Sequence, residues 1–231
     1  MKTIATLGAV ALAVSSLSHA AELDITVQNL TQGIYFTPLL ISAHPSDASF
    51  YKLGEMASGE LQAMAEGGDI SGLMSIADGM SANSSANPAE GMLAPSTTVM
   101  TSLSTDSANT HLSLMAMLLP TNDGFVGLDS WEIPSEAGTY HFYLNGYDAG
   151  TEANDEMITG GGAPGAAGIP KDPAGKQGMN ATGVTDMETN MMIHVHRGNL
   201  GDDMMDGGKS DLNNTVHRWL NPVAKVTVTV N

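Results

Sequence analysis

The sequence predicts an all-β fold, an antiparallel β-sandwich, on three observations. Residues 23–30 (Leu-Asp-Ile-Thr-Val-Gln-Asn-Leu) alternate apolar and polar side chains, the period of a strand with one buried face. Residues 111–118 are nearly all apolar, as expected of a strand central in its sheet. Helical spacing is confined to one or two short segments, so strands dominate, and two packed sheets are the arrangement that buries them.

The elements follow in chain order. Lys2 precedes an apolar run over residues 4–14, then serines and the small-residue site Ser18-His19-Ala20, so residues 1–20 read as a secretory signal peptide. That run is too short to span a bilayer, and no later stretch reaches the roughly 20 apolar residues a spanning helix needs. Residues 21–231 remain as one β domain. After the 23–30 strand the chain turns at Gln32-Gly33, and residues 34–43 form a second strand in which Pro38 implies an edge or a bulge. Residues 57–65 carry apolar side chains at helical spacing, with Ser58 as N-cap and Gly67-Gly68 as stop. A second helical turn is expected over 70–77, and 78–95 reads as a low-complexity Ser/Asn/Ala/Gly loop.

Strands resume at 97–103 and 111–118, with shorter ones at 125–128 and 140–144. Residues 145–190 are rich in Gly, Pro and acids without a period, and loops this long in a compact domain are functional or disordered. Residues 191–196 and 224–230 are the final strands, with a turn or short helix near 214–220. Long loops gather at the ends of such a sandwich, where binding sites are built.

Eight Lys and Arg against 25 Asp and Glu give a formal charge of −17, which repels nucleic-acid phosphate and anionic headgroups and favours cationic partners, metal ions included. Acidity also serves solubility alone. The absence of Cys excludes disulfides and thiol chemistry, and a chain of this size can bury its core without them.

Two segments concentrate oxygen donors beside glycine: Pro120-Thr121-Asn122-Asp123-Gly124-Phe125-Val126-Gly127-Leu128-Asp129 and Tyr147-Asp148-Ala149-Gly150-Thr151-Glu152-Ala153-Asn154-Asp155-Glu156. A hard cation such as Ca²⁺ takes six to eight oxygens at about 2.3–2.6 Å from carboxylates, amides and carbonyls on flexible turns, and both segments offer all three. Asp and Asn beside Gly are equally ordinary turn residues, and the spacing matches no EF-hand.

The run from Leu118 to Leu128, the segment Tyr147-Asp148-Ala149-Gly150-Thr151-Glu152 and the closing Asn221-Pro222-Val223-Ala224-Lys225-Val226-Thr227-Val228 resemble the spondin N-terminal domain family of F-spondin and mindin. The resemblance covers most of residues 21–231 in order. It implies a C2-like β-sandwich that binds a divalent cation through loop carboxylates of these two motifs, here Asp123, Asp148 and Glu152. This chain departs from the animal pattern: Gly124 stands for Trp, Glu152 for Asp, the flanking cysteines are absent and residues 50–95 are an expansion. Adhesion or receptor binding known for animal members does not transfer.

Ile193-His194-Val195-His196 puts two imidazoles on one face of a strand, and His44, at the end of the second strand, is a candidate third ligand. With Met191, Met192, Met204 and Met205 nearby, soft donors suit copper, especially Cu(I), in an exported chain without Cys. Against this, Met fills core gaps and His-x-His pairs are common on strand surfaces. His111, His141 and His217 read as structural. Hydrolase and nucleotide-binding signatures (Gly-x-Ser-x-Gly, His-Glu-x-x-His, a phosphate-cradling Gly loop) are missing, so no catalytic residue is assigned. The expectation is an exported, non-catalytic, Ca²⁺-type module, secreted, periplasmic or at the cell surface, with a protein or glycan partner. The alternative is a copper-binding protein using His44, His194 and His196.

Overall fold

A computed structural model describes residues 20–231, so the signal-peptide reading lies, but for Ala20, outside the described residues. The elements in chain order are β1 (Glu22–Asn29), β2 (Tyr35–Phe36), β3 (Leu40–His44), α1 (Gly59–Gly67), α2 (Ser71–Gly79), β4 (Asn83–Ala86), β5 (Thr98–Ser104), β6 (His111–Leu119), β7 (Gly124–Glu132), β8 (Gly138–Leu144), β9 (Gly146–Asp148), β10 (His194–Val195) and β11 (Ala224–Val230). The strands pair antiparallel in two sheets, as the sequence predicts. A small sheet has the order β5-β1-β11-β8, and a large one the order β10-β9-β7-β6-β3-β4, with β2 also pairing β6.

The small sheet shows why alternation matters. Leu23, Ile25 and Val27 of β1 and Val226, Val228 and Val230 of β11 point inward and are buried, in a register that sets Leu23 against Val230 and Val27 against Val226. The outward residues are polar and pair across strands: the Ser102 hydroxyl donates to Asp24 Oδ1 at 2.7 Å, and His141 lies 2.9 Å from Thr227 Oγ1. Burying each such Val, Leu or Ile contributes about 1.5–3 kcal/mol relative to exposure, which is what holds the sandwich shut.

The large sheet is covered on both faces. Leu112, Leu114, Ala116 and Leu118 of β6 face the small sheet, while Met115, Met117 and Leu119 face a second core that includes Leu61 and Met64 of α1 and Leu73 and Ala77 of α2. That double cover explains the unbroken apolar run of β6. The helix α1 begins at the expected cap, Leu61 N–H donating to Ser58 Oγ at 3.1 Å, and ends at Gly68 with φ 75°. The expanded segment 50–95 thus supplies a third layer.

Besides end shifts of a residue or two and the lengthening of the strand expected over 125–128 to Gly124–Glu132, four regions differ from expectation. The strand 34–43 breaks between β2 and β3 at Thr37-Pro38-Leu39, since Pro cannot donate to the ladder. Within the expected loop 78–95, β4 pairs with the edge of β3, using hydroxyls in place of apolar side chains: Ser42 and Ser84 oxygens lie 2.9 Å apart, and Ser85 of β4 reaches across to β5, its oxygen 2.8 Å from that of Thr101. The strand expected over 191–196 narrows to His194–Val195. Inside the expected loop 145–190, β9 forms and pairs with β7 and β10.

Candidate functional site: a buried acidic tip

The two acidic motifs meet because β7 and β9 are neighbours. Their register sets Gly124 opposite Asp148, which brings Asp123, at the foot of β7, to the turn that follows β9. Asp123 is fully buried. Its Oδ2 accepts three hydrogen bonds, from Thr151 N–H (2.8 Å), Glu152 N–H (3.1 Å) and the Thr151 hydroxyl (3.2 Å). Its Oδ1 is buried with no partner. Glu152 repeats the pattern: Oε2 accepts from Gly168 N–H at 3.0 Å and Asn122 Nδ2 at 3.4 Å, and Oε1 is buried without a partner.

Burial, then the neighbouring Asp148 carboxylate, push the Asp123 carboxyl up to about 7. Burial raises Glu152 to about 7 as well, with Glu66 and Asp123 adding repulsion. Asp148 is also raised, chiefly by burial, but both of its oxygens are engaged, Oδ1 by Gly150 N–H (2.9 Å) and Oδ2 by Asn154 Nδ2 (2.6 Å). Two buried, mutually repelling carboxylates with a bare oxygen each are unstable as anions unless a proton or a cation joins them. The Spondin_N family profile matches residues 28–159, more than half of the chain and a span that holds both motifs.

The chain belongs to the Spondin_N family. Among curated proteins, none matches it. The departures of this Spondin_N domain from the animal pattern have local reasons. A Cβ at Gly124 would lie 2.7 Å from Thr121 Oγ1, the oxygen that accepts the Gly124 N–H, so no larger side chain fits while Thr121 holds the turn. The longer Glu152 reaches the Gly168 N–H across the following loop.

The structure brings Asp123, Asp148 and Glu152 into one acidic neighbourhood. Among the described residues, however, no three His, Asp or Glu side chains form a ready-made metal-holding group. The bare oxygens belong to Asp123 and Glu152, and they suit a hard cation that would also draw on neutral oxygens.

Sequence reasoning missed that other buried acids, in these loops and elsewhere, hold backbone together. Glu156 accepts from Leu200 N–H (2.6 Å), Gly201 N–H (2.8 Å) and the Ser210 hydroxyl (2.6 Å). Asp211 accepts from Ile158 N–H (2.8 Å), Met179 N–H (2.6 Å) and Ala181 N–H (3.3 Å). Glu66 of α1 accepts from Gly165 N–H at 2.6 Å. The Gly-rich segment is therefore anchored by charge-assisted bonds as well as by a few buried apolar side chains such as Ile169 and Ile193.

The three histidines of the copper expectation are not brought together. His44 sits on β3, four strand positions from β10 and so on the order of 20 Å away at the usual spacing. Both its ring nitrogens are occupied, Nδ1 donating to Pro45 O (2.9 Å) and Nε2 accepting from the Ser113 hydroxyl (2.7 Å). His196 is buried against Trp219, ring centroids 4.9 Å apart. Its Nδ1 accepts from Gly198 N–H at 2.8 Å, which leaves the proton on Nε2 and no free lone pair for a metal. Burial lowers its pKa to about 3, so the ring is neutral. His194, partly exposed, lies 3.8 Å from Asp148 Oδ2 and belongs to the acidic tip instead.

Proposed function

We propose that this Spondin_N chain is an exported, non-catalytic binding module whose acidic tip takes up a hard divalent cation of the Ca²⁺ type, stiffening loops that contact a protein or glycan partner at the cell envelope. The observation that carries the reading is the pair of buried, unpartnered oxygens, Asp123 Oδ1 and Glu152 Oε1. Asp123 and Glu152 would hold the ion, with Asp148 contributing negative field. The ion would supply charge compensation and loop order, with no bond made or broken in a substrate. Export is supported by the apolar, Ser/Ala-rich first 20 residues and by the extracellular type of the family. No helix among the described residues is long and apolar enough to cross a membrane. Copper bound by His44, His194 and His196 finds no support in the placement of those rings.

Thermal unfolding in excess Ca²⁺ against chelator tests this. At a free ion concentration 100 times Kd, binding to the folded state alone adds about 2.7 kcal/mol. For a domain of this size that raises Tm by roughly 5–10 °C. Asp123→Asn should abolish most of the rise while leaving a cooperative transition. Identical melting curves with and without the ion would remove the cation from the reading.

A further inference from the structure

A cleft of about 370 Å³ opens where the chain leaves β8 of the small sheet for β9 of the large one. Its lining includes Tyr51, Gly127, Asp129, Tyr143, Asn145 and Tyr147. The volume is that of a small-ligand site, and three tyrosines with one carboxylate are an unusual lining for an incidental surface dent.

The cleft is built from the backbone up. Gly127 of β7 supplies a floor without a side chain: a Cβ there would collide with the Tyr51 hydroxyl and lie 2.8 Å from its ring carbon Cζ. The Tyr51 ring is fixed by an edge-on contact with Phe125 (centroids 5.1 Å, 86°) and by Tyr147 (5.9 Å). Next to it β7 bulges, the register with β6 slipping between Leu112 and Leu114. At the bulge Ser130 takes a left-handed φ of 50°. Such bulges re-aim the side chains beside them, and here the neighbour is Asp129. The Ser130 hydroxyl donates to Asp129 Oδ1 at 2.8 Å and fixes that orientation.

Among the described residues Asp129 has no ion-pair partner. The ion pairs of the described residues join His194 to Asp148 and His217 to Asp172, and Lys52, next to Tyr51 in the chain, is exposed and makes none. Tyr51 is almost fully buried, Tyr147 half-buried and Tyr143 exposed, so the cleft is lined by uncharged aromatic surface at graded depth beside one carboxylate. An anion is repelled here. A neutral ligand gains nothing from the charge of the carboxylate. A cation with an apolar skirt satisfies both the rings and the charge.

We propose that this cleft binds an organic ammonium group, seated against the Tyr51, Tyr143 and Tyr147 rings and paired with Asp129. The group can come from a free small quaternary ammonium compound or from a lysine side chain of a partner. Recognition is independent of the acidic tip, because neither Asp123 nor Glu152 lines the cleft.

The test is a calorimetric and saturation-transfer NMR titration of the folded chain with choline, with N-acetyl-lysine methylamide and with 3,3-dimethylbutanol, the uncharged isostere of choline. Each titration is run in Ca²⁺ and in chelator, so that failure of the cation reading at the tip is separable from failure here. Choline or the lysine amide is expected to bind and the alcohol not. Asp129→Asn and Tyr143→Ala, both at exposed positions, should each weaken binding roughly five- to tenfold without changing the melting curve. Stronger binding of choline assigns the cleft to free quaternary compounds, and stronger binding of the lysine amide assigns it to a basic side chain. Equal binding of the alcohol, no binding of either ammonium, or affinities untouched by both substitutions would overturn the proposal.

Discussion

Asp123 and Glu156 are both buried loop acids of one Spondin_N domain, and they differ in how their oxygens are used. Glu156 places both oxygens against donors from three residues, Leu200, Gly201 and Ser210, and ties together stretches of chain more than 40 residues apart. Asp123 also takes three hydrogen bonds, but all on Oδ2, leaving Oδ1 bare in the interior. A carboxylate with both oxygens answered is a structural anchor. One that is half answered carries an uncompensated charge and gains from a guest.

The largest expected effect comes from making the same isosteric change at both places. Glu156→Gln turns one acceptor oxygen into an NH₂ group facing backbone N–H or hydroxyl donors, so buried donors lose their partner. Urea unfolding should show a loss of about 3 kcal/mol, the same in Ca²⁺ and in chelator. Asp123→Asn in chelator should cost little or even stabilise, because the amide oxygen can keep the three donors of Oδ2 while the buried charge, whose other oxygen has no partner, is removed. If the two substitutions behave alike in chelator, the division between anchors and bare oxygens is wrong.

A smaller effect lies in pH. In the metal-free fold the Asp123 and Glu152 carboxyls titrate at about 7, above their ordinary values of 3.8 and 4.5. A carboxyl whose pKa is raised by folding binds more protons folded than unfolded. Its contribution is therefore fully present below about pH 4 and is lost as pH rises through about 7. Stability measured in chelator should fall over that window relative to the double variant Asp123→Asn, Glu152→Gln, and excess Ca²⁺ should flatten the difference. A wild-type curve parallel to that of the double variant across the window would mean that these carboxyls are not perturbed.

What could be read from the sequence tracks how local the cause is. The strand β1, the cap of α1 at Ser58 and the continuous apolar run of β6 depend on neighbours a few residues away, and they stand where periodicity puts them. The strand β4 escaped because its side chains are Ser and Asn paired with other hydroxyls, so no apolar period marks it. The strand β9 is three residues inside a Gly-rich acidic stretch. Asp123, Asp148 and Glu152 came from a family resemblance added to turn chemistry, whereas Glu156 entered only as one oxygen donor of its segment and Asp211 not at all, and the anchoring role of neither had a signal, since their partners lie tens of residues away. His44 carried a misleading one: at a strand end beside Pro45 it looks available, but Ser113, 69 residues on, occupies its second nitrogen.

The smallest expected effect concerns His194, which stands between the tip and the former copper set. Its ring nitrogen is 3.8 Å from Asp148 Oδ2, its side chain is about one-third exposed, and Nδ1 donates to Met192 O at 2.8 Å. At that distance and exposure, pairing with Asp148 is worth at most about 1 kcal/mol after solvent screening. His194→Ala should therefore shift the urea midpoint slightly and leave the Ca²⁺-dependent rise in Tm intact, because Asp148 keeps its bonds to Gly150 and Asn154. Loss of the Ca²⁺ response in this variant would show that the imidazole, rather than the bare oxygens of Asp123 and Glu152, controls the site.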